Sequence, residues 1–105
     1  MIKKILDAVG LPYRKTRFTQ PPSGAYIVYM DDIETSGPDG INALRTHGIT
    51  IELYSPLPND ELEETIESIL DEQGVVWSKQ DRYWIQSEQL YQVVYEFEYI
   101  EKRRF

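Results

Sequence analysis

The strongest strand signal in the chain lies at residues 90–100, which read Leu-Tyr-Gln-Val-Val-Tyr-Glu-Phe-Glu-Tyr-Ile. Successive side chains of a strand point to opposite faces. The apolar and aromatic face consists of Tyr91, Val93, Tyr95, Phe97 and Tyr99. Gln92, Glu96 and Glu98 mark the other face. The pattern predicts that the aromatic face packs against helices and that the other face is wetter.

Two earlier segments predict a long hairpin. Residues 25–30, Ala-Tyr-Ile-Val-Tyr-Met, are typical of a strand buried on both faces. Ile49, Ile51 and Leu53 alternate with polar residues, which predicts a returning strand with one buried face. The polar residues 31–43 between them contain the turn-forming run Ser-Gly-Pro-Asp-Gly at 36–40. We expect residues 31–43 to form the tip of the hairpin.

Helical spacing occurs twice in the chain. The first helix is predicted from the apolar set Ile2, Ile5, Leu6 and Val9, and Gly10 is expected to end it. The second helix should be capped by Asn59 or Asp60 and end at Gly74. Its apolar stripe is Leu62, Ile66, Ile69 and Leu70, and its acidic residues are expected to lie off that stripe.

The remaining strands complete the predicted architecture. Residues 75–77 and 83–85 are predicted as two strands joined by a turn at residues 80–82. The order of helix, strands, helix and strands is typical of an α+β fold. The prediction is a single domain over residues 1–105, with a mainly antiparallel sheet, two helices on one face and a long protruding hairpin.

The negative charge is concentrated in one segment. The net charge is −7, and residues 60–72 hold seven acidic residues and no basic one. Basic residues cluster only at Arg14, Lys15 and Arg17 and again at Lys102, Arg103 and Arg104. This distribution disfavours nucleic-acid binding through a broad basic face.

No residue pattern indicates catalysis or a metal. The sequence has one histidine, His47, which is interpreted as a structural imidazole because no nucleophile motif accompanies it. The acidic residues of the hairpin lack the spacing of a calcium loop and are interpreted as solvated. The absence of cysteine excludes thiolate zinc sites. We therefore expect no catalytic residue, no metal and no cofactor.

Hydropathy predicts an intracellular chain. The longest apolar stretch, residues 25–30, is far shorter than the roughly 20 residues that cross a bilayer. The first residues, Met-Ile-Lys-Lys-Ile-Leu, lack the apolar run and cleavage site of a secretory signal. We expect no contact with a membrane.

Several of these segments together resemble a known family. They are Gln-Pro-Pro-Ser-Gly-Ala-Tyr-Ile-Val-Tyr at 20–29, Ile-Thr-Ile-Glu-Leu-Tyr at 49–54, the acidic helix at 61–71 and the closing strand at 91–99. The chain resembles the small tail-completion, or tail-terminator, proteins of long-tailed phages and prophages of Gram-positive bacteria. The Pro-Pro-x-x-x-Tyr-Ile-Val-Tyr run is the most distinctive part of the resemblance.

The resemblance implies a structural virion protein that is not an enzyme, located in the tail and neck, and in the host cytoplasm during assembly. Such proteins form a ring, usually hexameric, that ends polymerisation of the tail tube and joins the tail to the neck. The implied partners are copies of the chain, the major tail tube protein and a neck or head-completion protein. DNA would pass through the ring without specific binding.

Two surfaces are candidates for these contacts. The hairpin and a basic arm at residues 13–19 are expected to contact neighbouring subunits or the tube, through Arg14, Lys15, Arg17, Asp31, Asp32, Glu34 and Asp39. A protruding hairpin is ordered only when it lies on another surface. The acidic helix is expected to face the lumen of the ring or a charged junction, through Glu63, Glu64 and Glu67.

Two other classes of function stay open. A small acidic DNA mimic could use the same charge to block a nucleic-acid-binding protein. The charge, however, lies on one helix about 20 Å long, whereas a mimic needs acids along an extended surface. A small-molecule binding module is the other option, and no polar constellation in the sequence favours it.

Overall fold

Three long strands form the centre of a six-stranded sheet in the computed structural model, which describes residues 1–36 and 44–102. The elements in chain order are α1 (Ile2–Val9), β1 (Tyr13–Lys15), β2 (Tyr26–Ser36), β3 (Leu44–Ser55), α2 (Asp60–Glu72), β4 (Trp77–Lys79), β5 (Tyr83–Ile85) and β6 (Leu90–Lys102). The fold is therefore α+β, with two helices and a mostly antiparallel sheet, as the sequence predicted.

The strand order is β1-β2-β3-β6-β4, and β5 also pairs with β6. Strand β3 lies between β2 and β6 and is antiparallel to both over nearly its whole length. Strands β2 and β6 consequently run in the same direction. Strand β1 adds to β2 in the one parallel pairing of the described residues.

Strand β2 is longer than the sequence indicated. Strand β2 continues past the predicted end at Met30 to Ser36, which pairs with Leu44. Polar side chains do not stop the strand here, because backbone pairing with β3 continues and this part of β2 is exposed. The turn predicted around Asp39 lies outside the described residues.

The hydrophobic core lies between the helices and alternate residues of the long strands. The strand residues of the core are Ile27, Tyr29, Ile49, Ile51, Leu53, Val93, Tyr95 and Phe97. The helix residues are Ile2, Ile5, Leu6, Ile66 and Leu70. The predicted core face of β6 is confirmed for Val93, Tyr95 and Phe97, which belong to this core, and for Tyr99, which packs against it. Tyr91 instead lies beside Trp84, with ring centroids 4.7 Å apart.

The predicted hairpin of residues 75–85 is wrong. Strands β4 and β5 do not pair with each other; both are antiparallel to β6, with Lys79 opposite Tyr95 and Tyr83 opposite Gln92. The Gln80 N–H donates to the Val94 carbonyl at 2.9 Å, so the chain keeps following β6 where a turn was expected. The actual reversal follows Ile85 and uses Gln89, whose φ is +55°.

The helix ends follow the sequence signals. Gly10 adopts a φ of +83° at the end of α1, a left-handed conformation that glycine adopts without strain. The Asn59 side chain accepts a hydrogen bond from the Leu62 N–H at 3.0 Å and so caps α2. Among the residues described, neither helix combines the length and apolar character that a membrane crossing needs.

Candidate functional site

The sheet has two open edges near the same end of its long strands. Strand β1 covers the outer edge of β2 only as far as the pair Lys15–Tyr29. Strand β4 covers the outer edge of β6 only from Phe97 back to Tyr95. Both long strands continue, to Ser36 and Lys102 respectively. We call residues 31–36, 44–49 and 98–102 the distal ladder; neither outer edge of it pairs with another strand in the described part of the chain.

The existing hydrogen bonds show which backbone groups face outward on β2. The Ile27 N–H donates to the Pro12 carbonyl, and the Tyr29 carbonyl accepts from the Thr16 N–H, both at 2.9 Å. Backbone groups of alternate residues point to the same side of a strand. The N–H and C=O groups of Asp31, Ile33 and Thr35 therefore point away from β3.

The same reasoning applies to β6. The Val94 carbonyl accepts from Gln80 on the β4 side, so the even-numbered residues of β6 present their backbone groups outward. Beyond Phe97 these residues are Glu98, Ile100 and Lys102. Open ladders of this kind are sites where another strand can add.

Apolar side chains are exposed along the distal ladder. Ile33 is 45% exposed, Leu44 36% and Ile100 64%. Ile100 is opposite Thr46, which places Leu44 and Ile100 on one face, whereas Ile33 lies opposite His47 on the other face. The distal ladder thus exposes apolar surface on both faces as well as backbone groups on both edges.

His47 fixes the three strands of the distal ladder to one another. Its Nδ1 lies 2.9 Å from Asp31 Oδ1, and its Nε2 lies 3.2 Å from Glu101 Oε1. The ring is buried and stacks on Tyr99, with ring centroids 4.4 Å apart. The interpretation of His47 as a structural imidazole agrees with this environment. The Asp31 side chain is half-buried in this contact, so it binds His47 of its own chain and is not a surface residue.

The other hairpin and arm residues lie at the surface. Asp32 and Glu34 are exposed on β2, and Asp39 lies outside the described residues. Arg14, Lys15 and Arg17 are exposed, and the Arg14 guanidinium lies 5.4 Å from the centroid of the Phe18 ring. Strand β1, the first part of the arm, ends beside Tyr29, where the open edge of β2 begins. In the described part of the chain, residues 1–36 and 44–102, no ion pair joins these basic residues to the acidic residues of β2.

Part of the acidic helix faces inward, contrary to the expectation that all its acids lie off the buried side. Glu63 is only 5% exposed. Its Oε2 accepts from Arg82 Nε at 3.0 Å and from Nη2 at 2.7 Å, and its Oε1 lies 2.9 Å from Lys79 Nζ. Burial of a carboxylate requires such partners, because an unpaired charge loses its hydration.

The same network joins α2 to the sheet. Lys79 Nζ also contacts Glu67 Oε2 at 2.8 Å, and Arg82 pairs with Asp60. The Tyr95 hydroxyl donates to Glu67 Oε2 at 2.7 Å. Burial and this hydrogen bond raise the pKa of Tyr95 above its usual value, so the hydroxyl stays protonated as a donor. We call Asp60, Glu63, Glu67, Lys79, Arg82 and Tyr95 the α2 network.

No sequence pattern singled out Lys79 and Arg82 as site residues. They are the first basic residues after the acidic segment, on or next to a strand that follows α2, and this proximity was the available signal. These ion pairs reduce the negative charge that α2 presents to solvent. Glu61, Glu64 and Glu72 remain exposed on the outer side of α2, and Asp71 accepts from the Trp77 indole N–H at 2.8 Å.

No protein-family model matches the sequence, and no curated protein matches it.

Proposed function

We propose that this chain is a structural subunit of a phage-type tail, which forms a ring at the head-proximal end of the tail tube. In that position it ends tube polymerisation and joins the tail to the neck. The observation that carries the proposal is the distal ladder, whose two outer edges have no strand partner among residues 1–36 and 44–102. Unpaired edges with exposed apolar side chains are surfaces that another chain can cover.

The two edges belong to different strands, which favours a ring. An interface between unlike surfaces is head-to-tail, and such an interface closes into a ring when the rotation between subunits allows it. The other parts of the proposal are implied by the sequence resemblance. They are the phage-type particle, a ring of six subunits, the tube and neck partners, and the passage of DNA through the ring. The proposed location is the virion, after assembly in the host cytoplasm.

The finer architecture is part of this proposal. Both helices are assigned to one face of the sheet, because the core strand residues occupy alternate positions facing the same side. The β2–β3 hairpin is assigned as a protrusion. Its support is that exposure rises along β2 from Tyr26 to Ser36 and that the molecule measures 49 × 29 × 22 Å.

The roles of the candidate residues follow from their exposure. Asp32 and Glu34 on the hairpin, with Arg14, Lys15 and Arg17 on the arm, are assigned to contacts with neighbouring subunits or the tube. Glu64 is assigned to the lumen or to a charged junction. Glu63 and Glu67 are assigned a smaller part in that charged contact, because they would first have to break their ion pairs with Lys79.

The alternative of a DNA mimic has less support. A mimic must present a series of unpaired acids at phosphate-like spacing. On α2, Asp60, Glu63 and Glu67 are already paired with Lys79 or Arg82. The remaining exposed acids cover only one side of a short helix.

The test is the state of assembly of the purified chain. Light scattering after size-exclusion chromatography, with electron microscopy of the main peak, should show a ring or a monomer that assembles on purified tail tube protein. Tube polymerised with the chain present should be shorter than tube polymerised alone. A chain that stays monomeric at every concentration and has no effect on tube length would contradict the proposal.

A further inference from the structure

We propose that the free chain is in equilibrium with a two-fold dimer, in which β1 of each copy pairs with the open edge of β2 in the other copy. The paired strands are antiparallel, and Arg14 of one copy lies opposite Glu34 of the other. The inference goes beyond the proposed function, because it concerns the chain before it meets a ring or a tube. The dimer covers the open edge of β2, so it must dissociate before that edge can take another partner.

The edge of the sheet formed by β1 and β2 has the shape of a step. Strand β1 covers β2 only at residues 27–29. Residues 31–36 of β2 are left as a recess one strand wide in the described part of the chain. A second copy, rotated by 180° about an axis perpendicular to the sheet, presents the same step in the opposite direction. The β1 strand of each copy then fits the recess of the other, and no strand of either copy is displaced.

The hydrogen bonds of β1 show which of its backbone groups face outward. The Pro12 carbonyl and the Thr16 N–H both bond to β2 at 2.9 Å. Because backbone groups alternate along a strand, those of Tyr13 and Lys15 point away from β2. The Arg17 N–H agrees with this, since it donates to the Lys15 carbonyl from the outer side at 2.8 Å. A carbonyl oxygen has two lone pairs, so Lys15 can accept a second bond.

The outward groups of the two strands match in one register. On β2, Ile33 and Thr35 present their N–H and C=O groups outward. In an antiparallel pair, two opposed residues whose groups point at each other exchange both hydrogen bonds. Lys15 opposite Ile33 of the second copy places Tyr13 opposite Thr35. Both pairs can exchange their bonds, and the two-fold axis repeats them at the other joint.

Charge supports the pairing of these two segments. The register places Arg14 directly opposite Glu34 of the second copy. Both side chains are exposed, and neither is in an ion pair within residues 1–36 and 44–102. Residues 13–17 contain three basic residues and no acidic one, whereas residues 31–36 contain three acidic residues and no basic one. Opposite charges on facing strands stabilise the pair.

The side-chain faces agree as well. Arg14 lies beside Val28, so it shares a face of the sheet with the even-numbered residues of β2, including Glu34. An axis perpendicular to the sheet keeps this face the same in both copies. On the other face, Lys15 lies opposite Ile33 of the second copy, which is 45% exposed in the single chain. The alkyl part of the lysine side chain then covers Ile33 while its charge stays in water.

The first test is a disulfide between the copies, for which the chain is well suited because it contains no cysteine. Arg14 and Glu34 of the second copy form the closely spaced type of antiparallel pair, with Cα atoms about 4.5 Å apart, which a disulfide can span. A chain with both Arg14→Cys and Glu34→Cys should give, under oxidation, a closed covalent dimer and no larger product.

The single variants Arg14→Cys and Glu34→Cys are the matched controls for the disulfide. In the dimer, the two copies of either position are six residues apart along the strands, or roughly 20 Å. Both single variants should therefore stay uncrosslinked. A ladder of products larger than a dimer from the double-cysteine chain would show an open head-to-tail joint and would overturn the proposal. Absence of a covalent dimer would overturn it too.

The second test reverses the charge pair. Glu34→Arg should raise the dissociation constant of the dimer, measured by analytical ultracentrifugation, by about tenfold or more, because it faces Arg14 at both joints. Adding Arg14→Glu to the same chain should restore the dimer. Glu61→Arg, the same charge change at an exposed position of α2, is the control and should dimerise as the wild type does. An unchanged dissociation constant for Glu34→Arg would contradict the register.

The outcomes separate this inference from the proposed function. A wild-type chain that does not dimerise overturns the inference, whatever effect the chain has on the length of tail tubes. Covalent dimers from a chain that neither forms rings nor shortens tubes would leave the inference standing and overturn the ring proposal.

Discussion

His47 on β3 is bound to Asp31 on β2, with its Nδ1 2.9 Å from one carboxylate oxygen and 3.1 Å from the other. The two residues lie 16 positions apart in the chain, so their contact depends on the register of β2 and β3. The Asp31 side chain is 12% exposed in this position. The pair therefore stabilises the start of the distal ladder, where the covering strand β1 has ended.

Replacing His47 with leucine should destabilise the fold by about 1–3 kcal/mol, because the half-buried Asp31 carboxylate then loses its partner. The free energy of unfolding measured by urea titration checks this value. Asp32→Asn is the matched control, since Asp32 is exposed, and its effect should stay within about 0.5 kcal/mol. Equal changes in the free energy of unfolding for the two variants would show that the contact between His47 and Asp31 does not stabilise the fold.

Glu63→Gln and Glu64→Gln should behave differently although they are neighbours. Glu63 is buried against Lys79 and Arg82, so its amide variant should lose about 1–3 kcal/mol of stability. Glu64 is exposed, and its variant should be unchanged or slightly more stable because repulsion along the helix decreases. Thermal unfolding of the two variants side by side measures the difference. A stabilising Glu63→Gln would contradict the assigned network.

Stability should fall in alkaline solution as Tyr54 ionises. Burial, together with the nearby charge of Glu52, raises the pKa of Tyr54 from 10.0 to about 12. The protonated hydroxyl therefore stabilises the fold fully below about pH 10, and this contribution is lost as the pH rises through 12. The unfolding free energy measured from pH 8 to 12 should show the decrease.

Tyr54→Phe provides the comparison for the alkaline decrease. Above pH 10 its stability should fall less steeply than that of the wild type. Some decrease should remain, because burial and Glu67 also raise the pKa of Tyr95. Identical pH profiles for the two chains would show that Tyr54 does not contribute.

Ile33→Lys should prevent ring formation without unfolding the subunit. Ile33 is exposed on the distal ladder, and its backbone groups point to the open edge of β2. A lysine on an open edge opposes the addition of another strand. Light scattering measures assembly, and circular dichroism checks the fold. Leu57→Lys, at an exposed apolar residue outside the distal ladder, is the control and should still assemble.

Local signals predicted the elements that depend on neighbouring residues. Gly10 ends α1, Asn59 caps α2, and the alternation in residues 91–99 places the aromatic face of β6 in the core. Each of these features is settled within a few residues, because helix caps and strand alternation depend on local backbone geometry.

Sequence patterns were wrong where distant pairing decides the structure. Residues 80–82 contain polar residues typical of a turn, yet the Gln80 N–H bonds to Val94 and the chain follows β6. Strand β2 ends later than its sequence predicts for the same reason. Its polar residues carry little strand preference of their own and are held by pairing with β3.

The sequence by itself determined the α+β class, the core faces of the long strands and the concentration of acid on α2, because each depends on the order and periodicity of side chains. Only the tertiary structure decided that Glu63 is buried between Lys79 and Arg82, that Asp31 binds His47, and that β2 and β6 extend beyond their covering strands. These features join residues far apart in the chain. Their energies arise from burial and strand register, which no local pattern contains.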